Sequence, residues 1–117
     1  MCARLLPYRD EQGVKKINLI AVAPRTTRDD DLIELALVGH TDTVPYDANW
    51  AEALTLTARD GKLYGRGASD TKGFIAAAVT AIEACEIGRL RRPLALVLTA
   101  DEEVGCLGAR RLAETRA

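Results

Sequence analysis

The side chains best suited to chemistry in this sequence are one histidine and a group of carboxylates. His40 and Asp42 follow an apolar run, the acidic run 101–103 follows a second one, and Asp70 lies between them in the chain. An imidazole and several carboxylates together form a ligand set for a divalent metal of the zinc type. Three consecutive acids also repel one another unless a cation offsets their charge, which further favours a metal site.

Each of these residues also has a purely structural interpretation. His40 is the only histidine, and a lone histidine after a strand is more often a hydrogen-bonded loop residue. Asp42 favours the ligand role, because a carboxylate at this spacing can accept the second imidazole N–H and fix the tautomer. Asp70 fits the N-cap of a helix, and the acids at 101–103 fit a first helical turn, where they complement the helix dipole.

Short apolar stretches predict the strands that must position these residues. They are residues 17–23, 32–38 and 94–99, and the last two are nearly all apolar, as buried strands are. The polar and charged stretch 24–31 predicts a solvated loop. The pair Asp60-Gly61 predicts a hairpin turn between a weak strand at 54–57 and a return strand at 63–64.

Two further stretches predict helices. Residues 71–85 carry apolar side chains at helical spacing and are rich in alanine, and residues 105–115 show a second helical pattern. The order of elements predicts an α/β fold with a mixed, mostly parallel sheet and flanking helices. Because ligands bind outside the carboxyl ends of parallel strands, we expect His40 and the acids at 101–103 to converge at one edge of that sheet.

The composition predicts a single soluble domain in a reducing compartment. The chain has 117 residues, 48% of them hydrophobic and 28% charged, with sixteen basic against seventeen acidic residues. No basic excess is present to neutralise phosphates, so we expect no nucleic-acid partner. No apolar run is as long as a membrane span, which needs about 18 residues. The first residues of the chain do not resemble a signal peptide. Three cysteines without C-x-x-C spacing argue against a disulfide framework and fit the cytoplasm.

Two other motifs suggest different chemistry. Residues 65–70 begin like a dinucleotide-binding fingerprint, but Asp70 stands where the third glycine or alanine belongs, and its charge would repel pyrophosphate. Ser69 and Lys72 match the S-x-x-K arrangement of serine acyl-enzymes at a helix start, whereas the companion S-D-N and K-T-G segments are absent from the sequence.

Four motifs of the sequence resemble those of the M20 family of metallo-aminoacylases, in the same order and at similar spacing. They are GHTDTVP at 39–45, GKLYGRG at 61–67, SDTKG at 69–73 and TADEE at 99–103, and the resemblance extends over roughly residues 33–116. Within the family it is strongest to the subgroup that deacetylates acetylornithine, which is also similar in the final stretch GARRLAET at 108–115. Thr71 replaces the methionine common in the family, at a position that is not a ligand.

The resemblance implies a zinc-aminopeptidase-like fold and a site for two Zn²⁺ ions, with Co²⁺ as an alternative. In such a site His40 would bind one ion, Asp70 would bridge the two, and Glu103 would bind the other. Asp42 would orient His40, and Glu102 would act as general base and acid in the hydrolysis of an amide.

The resemblance also carries expectations about substrate and assembly. It implies a small N-acyl amino acid as substrate, with acetate and ornithine as products in arginine biosynthesis, no membrane partner, and a cytoplasmic location. Family members are several hundred residues long, so residues 1–117 would be a single partial catalytic domain without the lid-like dimerisation domain of a homodimeric parent. The alternatives are another M20 hydrolase (a succinyl-diaminopimelate desuccinylase or a carboxypeptidase) and an inactive remnant or binding module.

Overall fold

The computed structural model describes residues 1–23 and 33–115. The loop predicted at 24–31 and Leu32, the first residue of a predicted strand, lie outside the described residues. The strands are β1 (Cys2–Arg9), β2 (Lys15–Ala23), β3 (Leu35–His40), β4 (Thr57–Arg59), β5 (Lys62–Tyr64) and β6 (Leu94–Thr99). Between β5 and β6 lie a short π-helical turn (Ala68–Lys72), the helix α1 (Gly73–Ala84) and a 3-10 turn (Ile87–Arg89), and the helix α2 (Leu107–Glu114) follows β6.

Four of the strands form one mixed sheet in the order β1-β2-β6-β3. The strands β3 and β6 are parallel, as predicted, with His40 opposite Thr99 at their carboxyl ends. The strands β1 and β2 are antiparallel to each other, and β2 is antiparallel to β6. The mixed α/β fold is therefore confirmed, although within the described strands the sheet is less parallel than expected. The predicted hairpin is also confirmed, since β4 and β5 pair around Asp60-Gly61.

The sequence pattern did not indicate β1, and β3 is less buried than its apolar residues predict. Pro7 lies within β1, and a proline in a strand pattern is tolerated only at an edge, which is where β1 lies. The strand predicted at 32–38 was expected to be buried, but Leu35 is 56% exposed and Val38 57%. The reason is that β3 is the other edge of the described sheet, so only one neighbouring strand covers it.

The hydrophobic core lies between the sheet and α1. Its buried members are small or medium-sized side chains from two strands and the helix, namely Ala21, Leu96, Ala78 and Ile82. The side chain of Asn18 on β2 contacts the start of α2 instead, because its amide donates to the carbonyl of Gly108. Since Leu19 packs against the core and successive side chains of a strand point to opposite faces, α1 and α2 cover opposite faces of the sheet.

The helices α1 and α2 both begin later in the chain than an N-cap at Asp70 and a first helical turn at 101–103 would require. The helix α1 begins at Gly73, Lys72 occupies its N-cap position without a side-chain cap bond, and Asp70 has non-helical φ and ψ angles of −120° and 95°. The N-cap interpretation of Asp70 is therefore wrong. The helix α2 begins at Leu107, beyond the acidic run, and has no acid in its first turn. Within the described residues, no helix is long and apolar enough to cross a membrane.

Candidate metal centre

The predicted convergence occurs at the carboxyl ends of the parallel strands. His40 is the last residue of β3, and Thr99, its partner in the register, is the last residue of β6. Beyond the strand ends the N–H of Thr41 still donates to the carbonyl of Thr99 at 2.9 Å. Both chain segments therefore leave the sheet side by side, which brings the loop after β3 next to the acidic run after β6.

Three candidate ligands meet at this edge. His40, Asp70 and Glu103 each offer one ligand atom, and these atoms all lie within 4.8 Å of one another. The closest pair is His40 Nε2 and Asp70 Oδ1, at 3.0 Å. Two ligand bonds of roughly 2.0–2.2 Å to one ion place their ligand atoms roughly 3–4 Å apart. The 3.0 Å between His40 and Asp70 lies in this range, and the 4.8 Å limit of the whole group leaves room for more than one zinc-type ion.

The orientation of His40 is fixed from its Nδ1 side. The side chain is 10% exposed, and its Nδ1 lies 3.1 Å from the main-chain carbonyl oxygen of Asp42 and 3.5 Å from the carboxylate of the same residue. The nearer acceptor is thus the carbonyl, where the sequence suggested the carboxylate. A hydrogen on Nδ1 would leave the Nε2 lone pair available to a metal ion, as a ligand nitrogen requires. Burial lowers the pKa of His40, but its contacts with Asp70 and Asp42 outweigh burial and raise the pKa above its ordinary value.

The carboxylate of Asp42 contacts the backbone of the acidic run. One of its oxygens accepts the N–H of Glu102 at 3.1 Å, and the other accepts the N–H of Glu103 at 3.0 Å. Partial burial raises the pKa of Asp42, but these two N–H donors outweigh burial and hold the pKa below its ordinary value. Asp42 therefore connects the loop after β3 to the turn that carries Glu103, a contact that the sequence did not indicate.

Glu102 lies beside the three candidate ligands. Its carboxylate approaches His40 Nε2 at 3.9 Å and its side chain is 42% exposed. The thiol of Cys106 donates to the other oxygen at 3.6 Å. A carboxylate that borders the three ligands and still reaches solvent can exchange a proton with a bound water or substrate.

Asp101, the first acid of the run, points away from the candidate ligands. It is 5% exposed, and its two oxygens are held by the ammonium of Lys16 and the hydroxyl of Tyr8, each at 2.8 Å. The charge of Asp101 is therefore offset by a lysine and not by a metal. No local signal could have identified these partners, because Lys16 and Tyr8 are 85 and 93 residues away in the chain.

Comparison with known proteins agrees with this architecture. The model of peptidase family M20/M25/M40 matches residues 36–117. The acetylornithine deacetylase of Myxococcus xanthus is 54% identical over 107 residues, which cover 92% of this chain and 27% of the deacetylase. The crystal structure of human carnosine dipeptidase 1 matches with a TM-score of 0.68 at 30% identity, over 97% of this chain and 26% of the dipeptidase.

The chain thus spans about a quarter of the length of these two relatives. The family model covers most of the chain, including the residues that follow β3 and β6 and the segment that carries Asp70. On these matches, the chain belongs to peptidase family M20/M25/M40, a family of metal-dependent hydrolases.

Proposed function

We propose that this chain provides the metal-binding part of an amide hydrolase that removes the acetyl group from N-acetylornithine. The observation that carries the proposal is the convergence of His40, Asp70 and Glu103 at one sheet edge, with their ligand atoms within 4.8 Å. These residues come from three separate segments of the chain. Bound cations would offset the repulsion between the two carboxylates that meet there.

The three residues would supply part of a site for two Zn²⁺ ions, with Asp70 as the bridge between them and the remaining ligands from outside residues 1–117. His40 would hold one ion through Nε2 and Glu103 the other through its carboxylate. Asp70 suits the bridging position because it is a carboxylate with two oxygens and its side chain is mostly exposed, so the second oxygen can reach a second ion. When bound, such ions polarise the amide carbonyl and acidify water.

Glu102 would move the proton in the reaction. Its carboxylate would accept a proton from the attacking water and later deliver it to the nitrogen of the leaving amine. Its position supports this role, because it borders His40 at 3.9 Å without being one of the three grouped ligands. Its neighbour Glu103 would remain ionised through direct contact with metal, and the two adjacent acids would thereby take different roles.

The substrate assignment rests on the relatives. The relative at 54% identity is named for deacetylating acetylornithine, and the solved relative at 30% identity is a dipeptidase. Both names describe cleavage of an amide bond to an amino acid, and the higher identity favours the deacetylase. We therefore propose ornithine and acetate as products in arginine biosynthesis, in a homodimeric protein of the cytoplasm. The three cysteines, all described and all free, fit that reducing compartment. The match to the dipeptidase keeps a peptidase of this family as the second candidate.

A substrate panel tests the proposal. The complete protein that carries this sequence would be incubated with N-acetylornithine, N-succinyl-diaminopimelate and a dipeptide, and the released amine would be quantified. We expect N-acetylornithine to be cleaved fastest, the activity to disappear after dialysis against a chelator, and Zn²⁺ or Co²⁺ to restore it. Preferential cleavage of the dipeptide would assign a peptidase instead, and metal binding without cleavage of any substrate would indicate a binding module.

A further inference from the structure

Asp101 combines deep burial with an unusual backbone conformation, immediately before the two glutamates of the proposed site. Its φ of 58° lies in the left-handed region, which non-glycine residues rarely adopt. The side chain is almost fully buried and both of its oxygens are occupied by partners on the β1–β2 hairpin. An unfavourable backbone conformation persists only where the surroundings determine it, so the contacts of Asp101 must hold this turn in shape.

The backbone on either side of Asp101 is tied down as well. The N–H of Ala100 donates to Asn18 Oδ1 at 3.1 Å. The carbonyl of Asp101 accepts the N–H of Leu107 at 3.0 Å, and the carbonyl of Ala100 accepts that of Gly108 at 3.1 Å. The chain therefore enters and leaves the turn at fixed points, and between them the direction of Glu102 and Glu103 depends on the conformation of Asp101.

On the β1–β2 hairpin, Lys16 and the loop between the two strands are held by contacts with Asp10. Lys16 approaches Asp10 at 3.5 Å as well as Asp101 at 2.8 Å. Asp10 accepts the N–H groups of Gln12 and Val14, which closes the loop between β1 and β2. The hydrogen bond with Asp101, the largest influence, raises the pKa of Lys16 despite partial desolvation, so its ammonium remains charged at neutral pH. Lys16 and Tyr8 therefore place an ammonium group and a hydroxyl group at defined positions on the paired strands β1 and β2.

We infer that Lys16 and Tyr8 are positioning residues for Glu102 and Glu103, acting through Asp101. This inference rests on the proposed function for its catalytic consequence. The β1–β2 hairpin supplies none of the three candidate ligands. Its side chains Lys16 and Tyr8 nevertheless hold Asp101, whose backbone conformation sets the direction of the two glutamates that follow it. The turn is then held from both sides, by Asp42 on the β3 side and by the hairpin on the other.

The test compares four variants of the complete protein. Lys16→Met removes the ammonium and keeps the aliphatic stem, Lys16→Arg keeps the charge, and Tyr8→Phe removes only the hydroxyl. Lys15→Met is the matched control, since Lys15 is the neighbouring, exposed lysine of the same strand. We expect Lys16→Met to lower kcat by about 10- to 100-fold with KM within about twofold, as for other residues that orient metal ligands. Lys16→Arg should recover most of the loss, and Lys15→Met should match the wild type.

A second readout does not depend on activity. Amide hydrogen exchange at Glu102 and Glu103, whose N–H groups bind Asp42, should be faster in Lys16→Met and Tyr8→Phe than in Lys15→Met. Unchanged exchange or unchanged kcat in Lys16→Met would overturn the inference and leave the proposed function intact. If the wild type shows no amide hydrolysis, the proposed function fails while the exchange comparison still decides whether the hairpin positions the turn. If Lys16→Met does not fold, Tyr8→Phe takes its place in both measurements, with the same outcomes deciding.

Discussion

The carboxylate of Asp42 accepts the main-chain N–H of Glu103 at 3.0 Å. Through this bond the loop after β3 fixes the backbone of a candidate ligand that follows β6, and the carbonyl of Asp42 orients His40 at the same time. Asp42 therefore positions two candidate ligands: its main-chain carbonyl contacts His40, and its side chain binds the backbone of Glu103. Its removal should therefore disturb the proposed metal site without deleting any candidate ligand.

Substitution of Asp42 by asparagine tests the side-chain part of this role, because the main-chain carbonyl that contacts His40 is unchanged. An amide retains one acceptor oxygen but turns an NH₂ group toward a backbone N–H, so one of the two bonds to the acidic run is lost. We expect Asp42→Asn to lower metal affinity or activity by about 10- to 100-fold with the fold intact. Asp60→Asn is the control, because Asp60 lies in the β4–β5 turn and asparagine tolerates its positive φ of 51°. A change of less than about twofold in both quantities would show that Asp42 is an ordinary loop carboxylate.

Removal of the imidazole should remove metal. In the complete protein, His40→Ala should lower the zinc content and abolish most of the hydrolytic activity, because Nε2 is the only nitrogen among the three grouped ligand atoms. Metal analysis by mass spectrometry on purified protein measures the content directly. Unchanged zinc stoichiometry in this variant would contradict the assignment of His40 as a ligand.

The two adjacent glutamates should respond differently to the same substitution. Glu102→Gln should keep both ions bound and lower kcat by roughly 10² to 10⁴, the usual contribution of a positioned proton shuttle. Glu103→Gln should instead loosen or lose an ion, because a neutral amide is a poorer ligand than a carboxylate. Each variant is the control for the other in paired metal analysis and kinetics. Loss of metal in Glu102→Gln with retention in Glu103→Gln would reverse the two roles.

A methyl group at Gly108 should destabilise the start of α2. A Cβ there would lie 2.2 Å from the carbonyl oxygen of Ala100 and 2.6 Å from Asn18 Oδ1. Backbone and a buried amide cannot move away cheaply, so Gly108→Ala should lower the free energy of unfolding by about 1–3 kcal/mol. Thermal and denaturant unfolding measure the change. Gly88→Ala is the matched control, since no atom lies within 4 Å of a Cβ at that position. Equal stability of the two variants would contradict the close packing of α2 against Ala100 and β2.

The sequence predicted the positions of the candidate ligands better than their surroundings. His40 and the acidic run follow apolar strands, and parallel strands place their carboxyl ends together, so the convergence followed from local pattern and topology. Asp70 was recognised as a candidate although the helix after it starts later than predicted. In each case the signal lay within a few residues of the side chain concerned.

Interactions over long sequence separations were not predictable in the same way. The contacts of Asp101 with Lys16 and Tyr8 depend on β1, whose pattern is interrupted by Pro7 and whose edge position only the sheet reveals. The exposure of β3 likewise depends on its place in the strand order. The apolar residues of a segment indicate that it forms a strand of a sheet, but they do not indicate which strands lie on either side of it.

The pairing of His40 with Thr99 makes strand alignment a determinant of metal affinity at the proposed site. Side chains alternate between the faces of a sheet, so a slip of β3 by one residue against β6 would turn the imidazole to the opposite face. Such a slip would separate His40 from Glu103 while every ligand remained in the chain. Substitutions in β3 or β6 that favour a shifted alignment would therefore abolish metal binding at a distance, and their phenotype would resemble that of a lost ligand.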